Sequence, residues 1–263
     1  MHGRVLIVAG SDSGGGAGIQ ADIKTVTALG GYAATAVTAV TVQDTMGVHA
    51  VHPVPADIIA AQMRVVLRDI GADAVKTGML HSRAVIETVA AVLEEEAPKL
   101  PIVVDPVMVA KGGARLLAEE ATDALVSRLL PLAAIVTPNA PELAALSGRP
   151  VETAADLGAA AAALRAQGAR AMLAKGGHLA GDESLDLLLS ADGERRFPFA
   201  RINTRHTHGT GCTLASAIAA GLAQGLGLEA AVTRAIAYTR EAIRRAPGFG
   251  RGHGPLDHGH PCR

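Results

Sequence analysis

The stretch Val5-Leu6-Ile7-Val8-Ala9-Gly10-Ser11-Asp12 decides the fold class, because a short apolar run ends there in a polar cluster. The run is too short for the core of a signal peptide, so it predicts a first strand. A segment with helical spacing follows at about residues 17–29. Strand and helix together form a βα unit, the building block of a parallel sheet that is buried on both faces.

The same alternation continues along the chain and predicts an α/β fold with a mostly parallel central sheet. With 263 residues, of which 49% are hydrophobic, the chain can bury a sizeable core, and we expect a single domain over residues 1–263. Further strands are predicted at 36–42, 74–76, 102–105, 134–137 and 171–174, and further helices at about 56–69, 82–96, 119–130, 140–146, 154–167, 210–224 and 229–245. Residues 48–54 and 185–199 are predicted to be β-rich segments that either extend the sheet or form a small lid, and 248–263 to be irregular.

Most of these strands end in polar or glycine-rich clusters. They are Gly10-Ser11-Asp12, Gln43-Asp44-Thr45, Thr77-Gly78-Met79, Asp105-Pro106, Thr137-Pro138-Asn139 and Lys175-Gly176-Gly177. In open α/β sheets, ligands bind at the carboxyl ends of the strands. We therefore expect these clusters to share one edge of the sheet and to form the active site.

Composition excludes several classes of partner. The 24 basic and 25 acidic side chains give a formal net charge of −1, so no basic field exists to hold a nucleic acid or an anionic membrane. No apolar stretch reaches the roughly 20 residues that span a bilayer. The two cysteines, Cys212 and Cys262, cannot form a disulfide framework, so we expect a reducing, cytoplasmic location.

The segment His208-Gly209-Thr210-Gly211-Cys212 precedes a predicted helix. Glycines at a helix start let successive N–H groups converge, and the helix start adds a positive end, so a phosphoryl group would fit there. Spacing alone equally permits an ordinary loop before a buried helix. A thiol at a helix start tends to have a lowered pKa, so we expect Cys212 either to accept a proton as a thiolate or only to contact the substrate.

Motifs in order along nearly the whole chain resemble the hydroxymethylpyrimidine/phosphomethylpyrimidine kinases of thiamine biosynthesis, which have the ribokinase-like fold. They are 9–22, 43–45, 76–80, 105–113, 137–143, 175–178, 208–212 and 252–255. The resemblance implies a three-layer αβα sandwich with at most a small β lid, and a homodimer. It also implies ATP-dependent phosphorylation of 4-amino-5-hydroxymethyl-2-methylpyrimidine and then of its monophosphate.

The chain has no G-x-x-x-x-G-K-[ST] motif, and residues 14–18 do not match G-x-G-x-x-G, so P-loop and dinucleotide-binding classes are disfavoured.

Within the matched motifs, a Gln amide offers a donor beside an acceptor, which complements an aminopyrimidine. Gln43 is therefore the predicted specificity residue, with Met79 and Val107 as apolar walls for a flat ring. Related pyridoxal kinases often have a Gln near the position of Met79, so this residue favours a pyrimidine. We also expect the substrate to contact residues of the first motif, namely Gly10, Asp12 and Ala17.

The phosphate side of the predicted site contains Lys175, which is placed to neutralise phosphate oxygens, and Asp105, which would lie near the phosphates or the metal. Asn139 and Glu142 form an Asn-x-x-Glu pattern at a helix start. It fits Mg²⁺ bound through water beside ATP, and it equally fits a capping box. The main-chain groups of Gly209, Thr210, Gly211 and Cys212 would then stabilise the transferred phosphoryl group.

Three interpretations remain open at this point. A pyridoxal kinase, or a kinase that accepts both pyridoxal and hydroxymethylpyrimidine, is the nearest alternative to the pyrimidine kinase. A non-catalytic pyrimidine-binding protein is a distant third.

The spacing favours a structural role for His208, and His253, His258 and His260 are treated as part of an irregular tail. Many ribokinase-like enzymes have Asp at the position of Cys212. We expect the cysteine to be the weaker base of the two.

Overall fold

The computed structural model describes residues 2–110, 112–177, 179 and 183–263. Lys111 and His178, which belong to two of the motifs quoted above, lie outside the described residues. The strands are β1 (Arg4–Asp12), β2 (Tyr32–Gln43), β3 (Val48–Pro53), β4 (Ala74–Thr77), β5 (Ile102–Val104), β6 (Ile135–Val136), β7 (Met172–Lys175), β8 (Glu183–Ser190) and β9 (Gly193–Ala200).

Over the described residues these strands form one nine-stranded sheet in the order β3-β2-β1-β4-β5-β6-β7-β8-β9. The six strands from β2 to β7 in this order are parallel, whereas β3, β8 and β9 pair antiparallel at the two edges. The two predicted β-rich segments therefore extend the sheet. Parallel strands direct their carboxyl ends to the same edge, so the prediction of a mostly parallel sheet is confirmed.

Helices cover both faces of the sheet. They are α1 (Gly18–Ala28), α2 (Ala56–Asp69), α3 (Arg83–Glu96), α4 (Thr122–Ala124), α5 (Ala140–Ser147), α6 (Ala154–Arg165), α7 (Thr210–Ala223) and α8 (Leu228–Arg244). Along β1, Val5 and Ile7 pack among side chains of α1, α7 and α8, whereas Leu6 and Val8 pack among side chains of α2, α3, α5 and α6. Alternate side chains of a strand point to opposite faces, so one fully apolar strand joins two cores and the predicted three layers form.

The helix predicted at 119–130 is present as a helical segment, but it is not one regular α-helix. The chain makes a 3-10 turn (Glu119–Ala121), the single turn α4, a π-type turn (Leu125–Leu129) and a second 3-10 turn (Leu130–Leu132) without a break. Pro131 has no N–H group to continue a regular helix, and Leu125, Leu129 and Leu130 are all buried. The helical pattern is therefore confirmed, and its hydrogen bonding is irregular. Among the described helices, none combines the length and apolar character needed to cross a membrane.

Candidate active site

The carboxyl ends of the parallel strands surround a cavity of about 1270 Å³, which is larger than the pocket of one small ligand. Every residue that the sequence analysis assigned to the substrate, the phosphates, the metal or the transfer step lines this cavity. They are Gly10, Asp12, Ala17, Gln43, Met79, Asp105, Val107, Asn139, Glu142, Lys175, Gly209, Thr210, Gly211 and Cys212. The structure thus brings together residues from all parts of the chain, as the strand-end rule predicts.

The helix α7 starts at this cavity, next to the glycine loop that joins β1 to α1 (residues 14–17). Gly209 caps the helix with φ of 81°, in the left-handed region. A Cβ atom on Gly209 would lie 1.8 Å from the carbonyl oxygen of Gly16, so the two loops are in direct backbone contact. The first N–H groups of a helix have no partner within it, so the start of α7 presents donors and a positive dipole to the cavity.

The thiol of Cys212 stands in the first turn of α7 and is partly exposed to the cavity. Burial raises its pKa to about 12, although the nearby Lys76 ammonium acts in the opposite direction. The expectation of a lowered pKa is therefore wrong for the ligand-free protein. Desolvation of the thiolate outweighs the stabilisation that a helix start provides, so the thiol is neutral near pH 7.

A buried ion pair lies beneath the cavity, where sequence reasoning did not place one. Lys76 on β4 donates to both carboxylate oxygens of Asp22 on α1, at 2.8 and 2.9 Å, and Ser216 on α7 donates to the same carboxylate at 2.7 Å. All three residues are fully buried. Burial alone would lower the pKa of Lys76, but Asp22 together with Asp105 and other nearby groups raises it above its ordinary value, so the ammonium stays charged. A charged residue inside the apolar strand was the available sequence signal.

Lys175 and Asp105 form the polar floor under the start of α7. The Lys175 ammonium lies 3.6 Å from Asp105 Oδ1, and a Cβ on Gly211 would lie 3.3 Å from Lys175 Nζ. Burial would lower the pKa of Lys175, but Asp105 and Glu142 raise it above its ordinary value, so it stays an ammonium. A glycine at 211 lets the helix backbone approach this charge closely without displacing the Lys175 side chain.

Asn139 and Glu142 form a complete capping box at the start of α5. Asn139 Oδ1 accepts from the Glu142 N–H at 2.9 Å, and Glu142 Oε2 accepts from the Asn139 N–H at 2.8 Å. The capping alternative is therefore confirmed. Burial, with a further contribution from Asp105, raises the pKa of Glu142 to about 7, although Lys175 opposes the shift. This carboxyl would ionise readily when a cation approaches.

Asp12 holds the glycine loop. Its carboxylate accepts N–H groups from Gly14 at 2.8 Å, Gly16 at 3.0 Å and Ala17 at 2.8 Å, and its Oδ2 lies 2.8 Å from His208 Nε2. Both oxygens thus accept hydrogen bonds from the protein, and through these bonds Asp12 shapes the loop that carries Ala17. Asp12 also lines the cavity, so its contact with the substrate stays a prediction.

The segment 248–263 is irregular, as predicted, but it packs against the site and is not a free tail. The His208 N–H donates to the Gly254 carbonyl at 3.2 Å, and His258 Nε2 lies 3.0 Å from the hydroxyl of Thr213 on α7. Burial lowers the pKa of His258 to about 4, so its ring is neutral at physiological pH. The segment therefore braces the start of α7 from behind.

Asp186 is a second cavity residue that sequence reasoning missed. It stands opposite Lys175 in the β7–β8 pair and accepts the Gly176 N–H at 3.1 Å. Burial raises its pKa to about 6. The signal for it was a carboxylate between Leu185 and Leu187 in the leucine-rich part of β8, because a buried acid usually has a specific partner.

Comparisons with known proteins agree on one family. The family model described as phosphomethylpyrimidine kinase matches residues 12–257. The chain is 51% identical over 255 residues to the hydroxymethylpyrimidine/phosphomethylpyrimidine kinase of Streptomyces coelicolor, covering 97% of this chain and 94% of that protein. It is 52% identical over 257 residues to the thiamine biosynthesis bifunctional protein ThiED of Geobacter sulfurreducens, covering 98% of this chain and about half (52%) of that protein.

Among solved structures, the chain is similar to the pyridoxal kinase of Staphylococcus aureus in complex with AMP-PCP and pyridoxal. The TM-score is 0.90 at 36% identity, and the match covers 98% of this chain and 94% of that one. The shared architecture confirms the expectation of a ribokinase-like sandwich.

Proposed function

Because the chain belongs to the phosphomethylpyrimidine kinase family, we propose that it transfers the γ-phosphoryl group of ATP to 4-amino-5-hydroxymethyl-2-methylpyrimidine. It then phosphorylates the monophosphate to the pyrophosphate, in thiamine biosynthesis. The observation that carries the proposal is that one cavity contains both an amide suited to an aminopyrimidine, Gln43, and a charged floor suited to phosphates, Lys175 with Asp105. We assign both activities to one domain spanning residues 1–263.

The ring side of the cavity supports an aromatic heterocycle. Gln43 offers a donor and an acceptor, and Met79, which is buried, packs in the same apolar cluster as the partly buried Val107. A Cβ on Gly10 would lie 3.0 Å from Met79 Sδ, so a larger residue at position 10 would displace Met79. These contacts support an apolar surface of Gly10, Met79 and Val107 against which a flat ring would pack.

The phosphate side supports transfer by positioning and charge neutralisation. A loose transition state spreads negative charge over the phosphoryl oxygens, which donors fixed in advance stabilise without reorganisation. The N–H groups of Gly209, Gly211 and Cys212 would supply such donors at the start of α7, whereas the Thr210 N–H donates to the Thr207 carbonyl at 3.4 Å. The Lys175 ammonium would hold phosphate oxygens of ATP. An ATP analogue bound to the similar pyridoxal kinase supports ATP as the donor.

The same floor fits Mg²⁺. Asp105 Oδ2 is buried and, among the described residues, has no hydrogen-bond partner, and the Glu142 carboxyl lies in the same cavity. Carboxylate oxygens are the ligands that Mg²⁺ prefers, so Asp105 and Glu142 would hold the ion, directly or through water, with Asn139 fixing Glu142. When bound, the ion would neutralise charge on the phosphates of ATP.

Cys212 contacts the acceptor oxygen in this proposal, but as a neutral thiol. Its raised pKa argues against a thiolate base, and a loose transition state needs little proton removal before the new bond forms. A phosphate monoester is already ionised, so the second transfer needs no base.

The variant Cys212→Ser tests this role, because a hydroxyl makes the same hydrogen bond without being a thiolate. We expect kcat to stay within about tenfold of wild type in both transfers, measured separately from the alcohol and from the monophosphate. A loss of more than about 100-fold confined to the alcohol would show that a thiolate base acts in the first transfer.

A pyridoxal kinase is the second candidate, favoured by the similarity to the S. aureus enzyme. We expect kcat/KM for the pyrimidine alcohol to exceed that for pyridoxal by about 100-fold, because pyridoxal lacks an amino group beside a ring nitrogen. An assay with ATP, Mg²⁺ and each acceptor in parallel decides between them. Preferential turnover of pyridoxal would contradict the proposal, and no turnover of either would favour a binding protein.

A homodimer would cover an exposed apolar strip at the β3 edge of the sheet. Val40 and Val42 on β2 are 48% and 59% exposed, and Met46 in the next loop is 58% exposed. Exposed apolar residues beside an edge strand favour association with a second copy.

A cytoplasmic location is proposed because it would keep the free thiols of Cys212 and Cys262 reduced.

A further inference from the structure

The amide of Gln43 is held between two polar side chains. Its backbone is fixed by Ser13, whose hydroxyl accepts from the Gln43 N–H and donates to the Gln43 carbonyl, both at 2.8 Å. One end of the side-chain amide lies 3.1 Å from Thr41 Oγ1, and the other lies 3.3 Å from His208 Nε2. A half turn of the amide exchanges its oxygen and nitrogen, and only the neighbouring protons decide between the two orientations.

Thr41 decides one end. Its hydroxyl lies 2.9 Å from the carbonyl oxygen of Ser11, which can only accept a hydrogen bond. A hydroxyl has one proton, and this proton is directed to Ser11. Towards Gln43, Thr41 therefore offers only a lone pair, and it needs the amide N–H₂ as its donor.

His208 decides the other end in the same sense. Its Nε2 lies 2.8 Å from Asp12 Oδ2, and the Asp12 carboxylate also accepts three backbone N–H groups. Burial would raise the pKa of Asp12, but the hydrogen bonds from His208 and Ala17 lower it, so Asp12 is ionised. An ionised carboxylate can only accept, so Nε2 carries the proton of the His208 ring. This one proton is directed to Asp12, so towards Gln43 the protonated Nε2 has no lone pair with which to accept an amide N–H. The partial positive charge of its N–H therefore favours the amide oxygen on this side.

We propose that Asp12, His208 and Thr41 are positioning residues that lock the Gln43 amide with its nitrogen towards Thr41 and its oxygen towards His208. This orientation is a half turn from the one in which Oε1 lies beside Thr41. It suits both contacts at once, whereas the opposite orientation sets two lone pairs against each other at Thr41 and an amide N–H against a ring nitrogen without a lone pair at His208. His208 therefore has a function beyond the structural role that the sequence favoured.

The lock fixes the order of the hydrogen-bonding groups that remain for a substrate. Gln43 keeps one N–H on the Thr41 side and one carbonyl lone pair on the His208 side, both at the cavity. An acceptor ring nitrogen next to an amino group matches that order. A ring in which an oxo group replaces the amino group has the inverted pattern, because its carbonyl accepts and its ring N–H donates. The inference deepens the proposed function, on which its kinetic test rests.

The tautomer of His208 tests the lock without any turnover. In protein with ¹⁵N-labelled histidine, the Nε2 resonance of His208, assigned by its loss in His208→Gln, is expected to be that of a protonated ring nitrogen. Asp12→Asn is expected to shift this resonance, because an amide N–H₂ can donate to the ring. A His208 ring protonated only at Nδ1 in the wild-type protein would overturn the proposal, whether or not the protein is a kinase.

Discrimination between two substrates tests its consequence. We expect wild type to prefer the 4-amino pyrimidine alcohol over its 4-oxo analogue by about 100-fold or more in kcat/KM. In the double variant Thr41→Val/His208→Leu the amide is free to turn, so this ratio falls by about tenfold or more while KM for ATP is unchanged. The single variant His208→Gln keeps an N–H donor near the position of Nε2, so we expect it to retain most of the wild-type ratio.

Thr35→Val is the matched control, because Thr35 is on the same strand but pairs with Ile7 in the middle of β1, away from the strand end. It should leave the ratio unchanged. An unchanged ratio in an active double variant would overturn the proposal. If wild type phosphorylates neither pyrimidine, the proposed function fails, and the tautomer measurement alone decides the lock.

Discussion

Replacing Gly209 with alanine is expected to abolish phosphorylation and to lower the free energy of unfolding by about 2–4 kcal/mol. Two costs add at this position. The φ of 81° is in the left-handed region, and the new Cβ would lie 1.8 Å from the Gly16 carbonyl oxygen. The glycine loop and the start of α7 would have to separate, which displaces the donors that face the phosphates. Denaturant unfolding and a coupled ATPase assay with the pyrimidine alcohol measure both effects.

Gly225→Ala provides the matched control for Gly209→Ala. Its φ is 82°, but no atom lies within 4 Å of the position of an added Cβ. We expect a loss of about 1 kcal/mol from the backbone conformation alone, with normal activity. Equal losses of stability in the two variants, with activity retained in Gly209→Ala, would show that the contact with Gly16 does not hold the site together.

Replacing Lys175 with methionine is expected to lower kcat by about 10³-fold in both transfers. The ammonium lies at the floor of the cavity, 3.6 Å from Asp105 Oδ1, and the structure keeps it charged. Methionine preserves most of the apolar stem and removes the charge. The measurement is kcat at saturating ATP for the alcohol and for the monophosphate.

Lys175→Met also leaves Asp105 and Glu142 without their buried counter-charge, so we expect a stability loss of about 3–5 kcal/mol. Lys175→Met/Asp105→Asn tests the cause of the stability loss. The double variant should recover much of the lost stability, because the unpaired carboxylate is gone, and it should remain inactive. Recovery of activity together with stability would show that Lys175 acts only by holding the fold.

Much of the fold and of the site could be predicted because both follow from local patterns. The apolar run at β1 and the helical spacing at α2 are continuous in sequence, and α2 spans Ala56–Asp69 as predicted. Parallel strands bring their carboxyl ends to one edge, so polar residues as far apart as Asp12 and Lys175 could be assigned to one cavity.

The rest depends on pairings that no local pattern encodes. Asp22 meets Lys76 across 54 positions and Ser216 across 194, and the choice of partner follows from packing. The pKa of Cys212 was mispredicted because a helix start is visible in the sequence, whereas burial is not. The packing of the C-terminal segment against α7 was missed for the same reason, since only the folded chain shows His258 beside Thr213.

One cavity is proposed to perform two successive phosphoryl transfers on an aminopyrimidine, and a ³¹P NMR time course with the pyrimidine alcohol, ATP and Mg²⁺ measures both. We expect the monophosphate to appear first and then to be converted to the pyrophosphate, and both signals to be lost in Lys175→Met. Two successive transfers in this cavity would be ruled out if wild-type protein formed no phosphorylated pyrimidine, or if Lys175→Met formed the pyrophosphate at the wild-type rate.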